Sequence, residues 1–130
     1  MHPFRKAVEE HDEAAMEAML SEKVVFTSPV AFKPYPGKAI TAAILRGVLR
    51  VFEDVRYVRE IAGADGRDYA LVFAATINGI QINGCDFLHV DDEGLIDDFM
   101  VMVRPLSGAN ALAEAMGNEF ERIQREALGA

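Results

Sequence analysis

The chain has 130 residues, of which 51% are hydrophobic and 26% charged, the profile of one globular domain over residues 1–130 and not of a disordered segment. Thirteen Lys and Arg stand against 21 Asp and Glu, a net charge of −8, which excludes nucleic-acid binding through a general basic surface. A single cysteine excludes an internal disulfide and a cysteine-rich zinc site, and the apolar share of a 14.3 kDa chain must line a cavity or meet a partner.

Residues 3–20 read as helix, with Pro3 in the first turn and Val8, Ala15, Met16, Met19 and Leu20 at helical spacing. A bend at His11 lets Asp12 cap a second helix. The stretch Met1 to Lys6 has no apolar signal core, and no apolar run approaches the ~20 residues of a membrane span. The expected location is cytoplasmic, with no membrane partner.

Val24 to Thr27 reads as a short strand rich in β-branched residues. A loop through Pro29, Pro34 and Pro36 leads to Gly37, and residues 38–51 read as helix with Ile40, Ile44, Leu45, Val48 and Val51 on one side. Four strands follow. Asp54 to Ala62 places Val55, Tyr57, Arg59 and Ile61 on one face. Tyr69 to Asn78 has little polarity on either face, as a strand covered on both sides does. Asn78-Gly79 predicts a tight hairpin, because both residues tolerate positive φ. Ile80 to Val90 returns, Asp91-Asp92-Glu93-Gly94 turns in solvent, and Leu95 to Arg104 is the last strand before Pro105. Ser107 is placed to cap a closing helix through Leu112, Met116, Phe120 and Ile123. The order predicts an α+β fold, with helices on one face of a curved antiparallel sheet and a pocket between the layers.

Asp86 is the residue that this pattern explains least. It sits mid-strand among Cys85, Phe87 and Leu88, where aspartate is disfavoured. A buried carboxylate must be paired, hydrogen-bonded or neutral. Two roles fit equally: a cavity acid that orients or protonates a ligand, or a structural carboxyl bonded to a tyrosine, with Tyr35, Tyr57 and Tyr69 as partners to choose among. His89 has the opposite strand parity and faces the outer side; His2 and His11 are expected in solvent. Three histidines so dispersed form no metal site, and no glycine-rich phosphate loop is present, so neither a metal nor a cofactor is expected.

Several strings in this order resemble the nuclear transport factor 2-like superfamily, SnoaL-like and ketosteroid-isomerase-like members included. They are Phe26-Thr27-Ser28-Pro29, Gly37 before the helix Lys38 to Leu49, and the run Gly84 to Ile96, with Met100 to Leu106 similar to a bacterial subgroup. The resemblance covers roughly residues 3–105. It implies a cone-shaped fold with a central cavity, the sheet wrapped around the N-terminal helices, and a homodimer through the outer sheet face.

The resemblance also implies which residues would act. Asp86 matches the family's oxyanion-donor aspartic acid. The general-base position before the first strand's proline is Ser28, and the tyrosine of the first helix falls near Phe4. The late carboxylate of SnoaL-like cyclases is replaced around Phe99, Met100 and Val101, with Asp97 and Asp98 earlier; Arg104 points away from the cavity. Family parity predicts a cavity lined by Phe26, Ser28 and Phe32 near the first strand and by Ile44 and Leu45 from the helix. On the sheet it predicts Leu71 and Phe73, then Asp86 and Leu88, then Phe99, Val101 and Val103. The outer face would carry Val72, Phe87, Met100 and Met102 toward a second subunit.

The expected function is binding of a small hydrophobic ligand without the full isomerase set. The alternative is an isomerase, cyclase or hydrolase acting on a small hydrophobic or polyketide-like substrate, with Asp86 as general acid or oxyanion donor. A weaker third is a protein-interaction module that uses the sheet face.

Overall fold

A computed structural model describes residues 1–129; the last residue of the expected domain span lies outside them. The N-terminal helix breaks where the sequence places the bend. Helix α1 runs Phe4–Glu9 and α2 Glu13–Ala18; His11 between them takes φ 53°, and the Asp12 carboxylate accepts from the Ala15 amide. Strand β1 (Leu20–Thr27) starts earlier than Val24. A two-residue strand β2 (Tyr35–Pro36) pairs with β1 inside the proline loop, and helix α3 spans Lys38–Val51 as read.

Strands β3 (Glu53–Ala62), β4 (Asp68–Ile77), β5 (Ile80–Val90) and β6 (Ile96–Arg104) form an antiparallel run, with Asn78 and Gly79 both at positive φ in the β4–β5 turn. The sheet order is β2-β1-β6-β5-β4-β3. Pairing of β1 to β6 is parallel, so the curved, open sheet is antiparallel except at that seam. Its inner face is apolar at every second residue of β4, Leu71, Phe73, Ala75 and Ile77, and on β5 at Ile82 and Leu88, with Gly84 and Asp86 between them.

Three local expectations are corrected. Two register shifts in β3 break its alternation, so Tyr57 turns inward while Arg59 and Ile61 stay outside. Helix α4 (Leu106–Ala127) starts directly after Pro105, which leaves Ser107 inside the first turn without a capping bond. His2 is buried and not solvated: its amide donates to Glu60, and its ring meets Tyr69 edge-on at 4.8 Å.

Helix α4 packs along α3 and over the inner face of the sheet. It closes the layer that the N-terminal helices begin.

Candidate functional site

The space enclosed between the sheet and the helices is walled almost entirely by apolar side chains. Phe4, Phe26 and Phe99 form one end, with Phe4 and Phe99 edge to face at 5.2 Å. Leu45, Val48, Leu49 and Phe52 approach from α3 and its end, at the spacing of one helical face. Leu112 and Met116 approach from α4.

Three polar side chains reach this wall: Ser28, Tyr57 and Asp86. The Ser28 hydroxyl accepts from the Val30 amide at 3.1 Å, so it is engaged in its own turn. Asp86, only 5% exposed, accepts a hydrogen bond at Oδ2 from the Tyr57 hydroxyl at 2.6 Å. That distance lies at the short end of the O–H···O range, as a carboxylate acceptor gives.

Backbone geometry makes this pair. Gly84 has no side chain, and a Cβ there would lie 2.1 Å from the Phe73 ring. Phe73 therefore lays its ring over β5, and Tyr57 stands edge-on beside it, ring centroids 6.0 Å apart. From that place the Tyr57 hydroxyl spans β4 to Asp86. The other end of Tyr57 is clamped: its amide donates to Glu9 at 2.8 Å, and the Arg5 guanidinium lies 5.8 Å from its ring while pairing with Glu60.

Burial sets the protonation of both groups. Loss of water pushes the Asp86 carboxyl up from 3.8 to about 7, even though the Tyr57 hydrogen bond acts to lower it. Burial and the neighbouring Asp86 charge hold the Tyr57 phenol well above its ordinary value. Near neutral pH Asp86 is thus part acid, part carboxylate. The acid form has a hydrogen-bond donor to offer, and the carboxylate form only acceptors. Among the described residues, Asp86 is the sole carboxylate on the cavity wall, and no His, Lys or Arg lines it.

Of the residues predicted to line the cavity, Phe26, Ser28, Ile44, Leu45, Phe73, Asp86, Phe99 and Val101 lie on its wall. Four do not. Phe32 is 99% exposed in the proline loop, two residues past Val30, where that loop leaves the cavity wall. Leu71 and Leu88 point inward but are packed over completely in the core, and Val103 lies past the cavity, on a surface groove with Phe32. Sequence reasoning missed the contributions of Met16, Val48, Leu49, Phe52, Leu112 and Met116. Helical spacing marked several of these as one face without saying what that face covers.

His89 lies on the outer face, with Nδ1 2.6 Å from Asp97 Oδ1, and that carboxylate holds the imidazole pKa above its usual value. Cys85 is half-buried on the same face and not a core residue.

A SnoaL-like domain matches residues 2–99. A steroid Δ-isomerase from Pseudomonas aeruginosa is 40% identical, with a TM-score of 0.88 over 94% of this chain and 89% of that one. A conserved bacterial protein with a cystatin-like fold from Silicibacter pomeroyi DSS-3 is 32% identical, with a TM-score of 0.85 over 97% and 95%. One component of the tetrahydromethanopterin S-methyltransferase of Methanothermobacter thermautotrophicus is 45% identical over only 38 residues; the match spans 29% of this chain and 56% of that curated relative. With its curved sheet, its helix layer and the SnoaL-like match over most of its length, the chain belongs to the SnoaL-like family of nuclear transport factor 2-like proteins.

Proposed function

We propose that the protein binds a small hydrophobic molecule carrying one oxygen, seats its hydrocarbon part against the phenylalanines, and holds the oxygen on the Asp86–Tyr57 pair. The observation that carries this reading is the 2.6 Å Tyr57–Asp86 hydrogen bond in the wall of an otherwise apolar cavity. A buried acid that keeps its proton up to about pH 7 is a strong donor to a ketone oxygen, and apart from Ser28, which sits in its own turn, the rest of the wall is apolar.

Binding without turnover is favoured by what the wall lacks. Shifting a double bond beside a carbonyl needs a base to take a carbon-bound proton as well as a donor to the oxygen. The base position is Ser28, whose hydroxyl is held in a turn with no base beside it. The second reading, an isomerase, cyclase or hydrolase with Asp86 as general acid or oxyanion donor, is favoured by the 40% identity to a steroid Δ-isomerase. We further propose that two copies pair through the outer sheet face, around Phe87, Met100 and Met102, and that the protein works in the cytoplasm.

Calorimetric titration with cyclohexanone and with methylcyclohexane tests the anchor. The ketone should bind about tenfold tighter at pH 6, an advantage that shrinks by pH 8.5 as Asp86 ionises and becomes pH-independent in Asp86→Asn. Equal affinity for the two probes at both pH values would remove the anchor. Deuterium exchange at the ketone's α-carbons in heavy water, catalysed by the wild type and lost in Asp86→Asn, would favour the enzyme over the binding protein.

A further inference from the structure

The family match ends at residue 99, and α4 lies wholly beyond it, yet α4 supplies two side chains to the cavity wall, Leu112 and Met116. How α4 packs therefore helps decide how much of the cavity stays open. The helix is locked along its length. Gly108 sits so close to the sheet that a Cβ would lie 2.4 Å from Ile82 Cγ2. Ile123 seats in the notch left by Gly47, where a Cβ would be 2.7 Å from its Cδ1. Around the second point Arg46 pairs with Glu126, and Arg50 with Glu119 and Glu126, tying α3 to the C-terminal part of α4. A helix held by close backbone packing at two places and by a charge network is a fixed cap.

Under that cap the cavity holds about 60 Å³. An apolar cavity of roughly 150 Å³ admits benzene. The space is therefore below that of one ring and far below that of a fused-ring skeleton. One part of the wall yields readily. Met116, with three rotatable bonds, lies together with Ser28, Val30 and Ile44 between the cavity and a surface groove, and Val30 is already 37% exposed. Turning Met116 aside opens the cavity toward that groove and adds about one side chain's volume. Admitting four fused rings requires lifting the helix.

We infer that α4 sets ligand size: the protein takes a one-ring ketone and excludes fused-ring ones, with Met116 as the side chain that yields at the entrance and Leu112 as the fixed stop. This rests on the anchor reading above and adds the size class.

Methyl-labelled protein titrated by NMR with cyclohex-2-enone, a decalone and a four-ring steroid enone reads it. In the wild type, affinity should fall at least tenfold from one ring to two, with no cavity-methyl shifts from the steroid. Met116→Ala should bring the two-ring ketone within threefold of the one-ring ketone. Leu112→Val, milder in a buried position, should move the ranking the same way. The cap inference is overturned if the steroid binds the wild type as tightly as the one-ring ketone, if neither variant changes the ranking, or if none of the three binds. The anchor fails separately: a size ranking that persists while Asp86→Leu, which has no polar group, binds ketones as the wild type does removes the anchor and keeps the cap. A steroid bound through Asp86 does the reverse.

Discussion

Asp86 shapes the pH response of the protein as well as its cavity. Its carboxyl is raised from 3.8 to about 7, so between these values the folded protein holds a proton that the unfolded chain has lost. The folded state is then favoured by acid. Stability from this group is fully present below about pH 4, declines as pH rises through 7, and above that the fold must carry a buried carboxylate. The whole change is on the order of 4 kcal/mol. Asp86→Asn keeps an acceptor for the Tyr57 hydroxyl and never ionises. Urea unfolding should therefore find the variant gaining on the wild type by up to that amount between about pH 3.5 and 8, with little further change above 8; parallel curves would mean that Asp86 is solvated. Tyr57→Phe removes the one hydrogen bond that lowers the Asp86 pKa, so ¹³C titration of the carboxyl should find it above 7, not below. At this scale the sequence marked Asp86 by its poor fit to a strand and offered three tyrosines. It could not choose Tyr57, because the choice depends on register shifts in β3 that turn Tyr57 inward and on Gly84 letting Phe73 lie flat, neither of which leaves a local signal.

Elements with strong local chemistry were legible: the Asp12 cap, the Asn78-Gly79 turn and the apolar face of α3 all direct the chain through two or three adjacent residues. Elements decided by distant packing were not. The parallel seam between β1 and β6 depends on where the two strands meet, and α4's role as a cap depends on Gly47 and Gly108, more than fifty residues apart. Glycines at such close approaches should respond oppositely to those in open space. Gly84→Ala drives a methyl into the Phe73 ring and should cost about 1–3 kcal/mol, loosening the Tyr57–Asp86 contact with it. Gly117→Ala, helical with nothing within 4 Å, should stabilise by about 0.5–1 kcal/mol. Thermal unfolding of the two variants checks both signs; a stabilised Gly84→Ala would mean that Phe73 has room to move.

At the scale of the molecule the apolar residues divide between two faces of one sheet. The inner face encloses the cavity. The outer face leaves Phe87 40% and Met102 55% exposed, flanked by Cys85 and Met100 on neighbouring strands. That face carries both signs of charge, Arg56 and Arg59 on the edge strand β3 and Asp97 and Asp98 at the start of the interior strand β6, so a second copy of the same face offers each sign its counterpart. A stable pair needs about 800 Å² buried on each partner, which a five-strand face of this kind supplies only if its apolar centre is included. Met102→Glu places a charge in that centre without touching the cavity, whose wall is built from the opposite side chains of the same strands. Light scattering should therefore give the wild type twice the 14.3 kDa chain mass and the variant a single chain mass, with cyclohexanone affinity unchanged. A wild type of one chain mass would overturn the pairing and leave the cavity reading intact, because the two faces are separated by the sheet's own backbone.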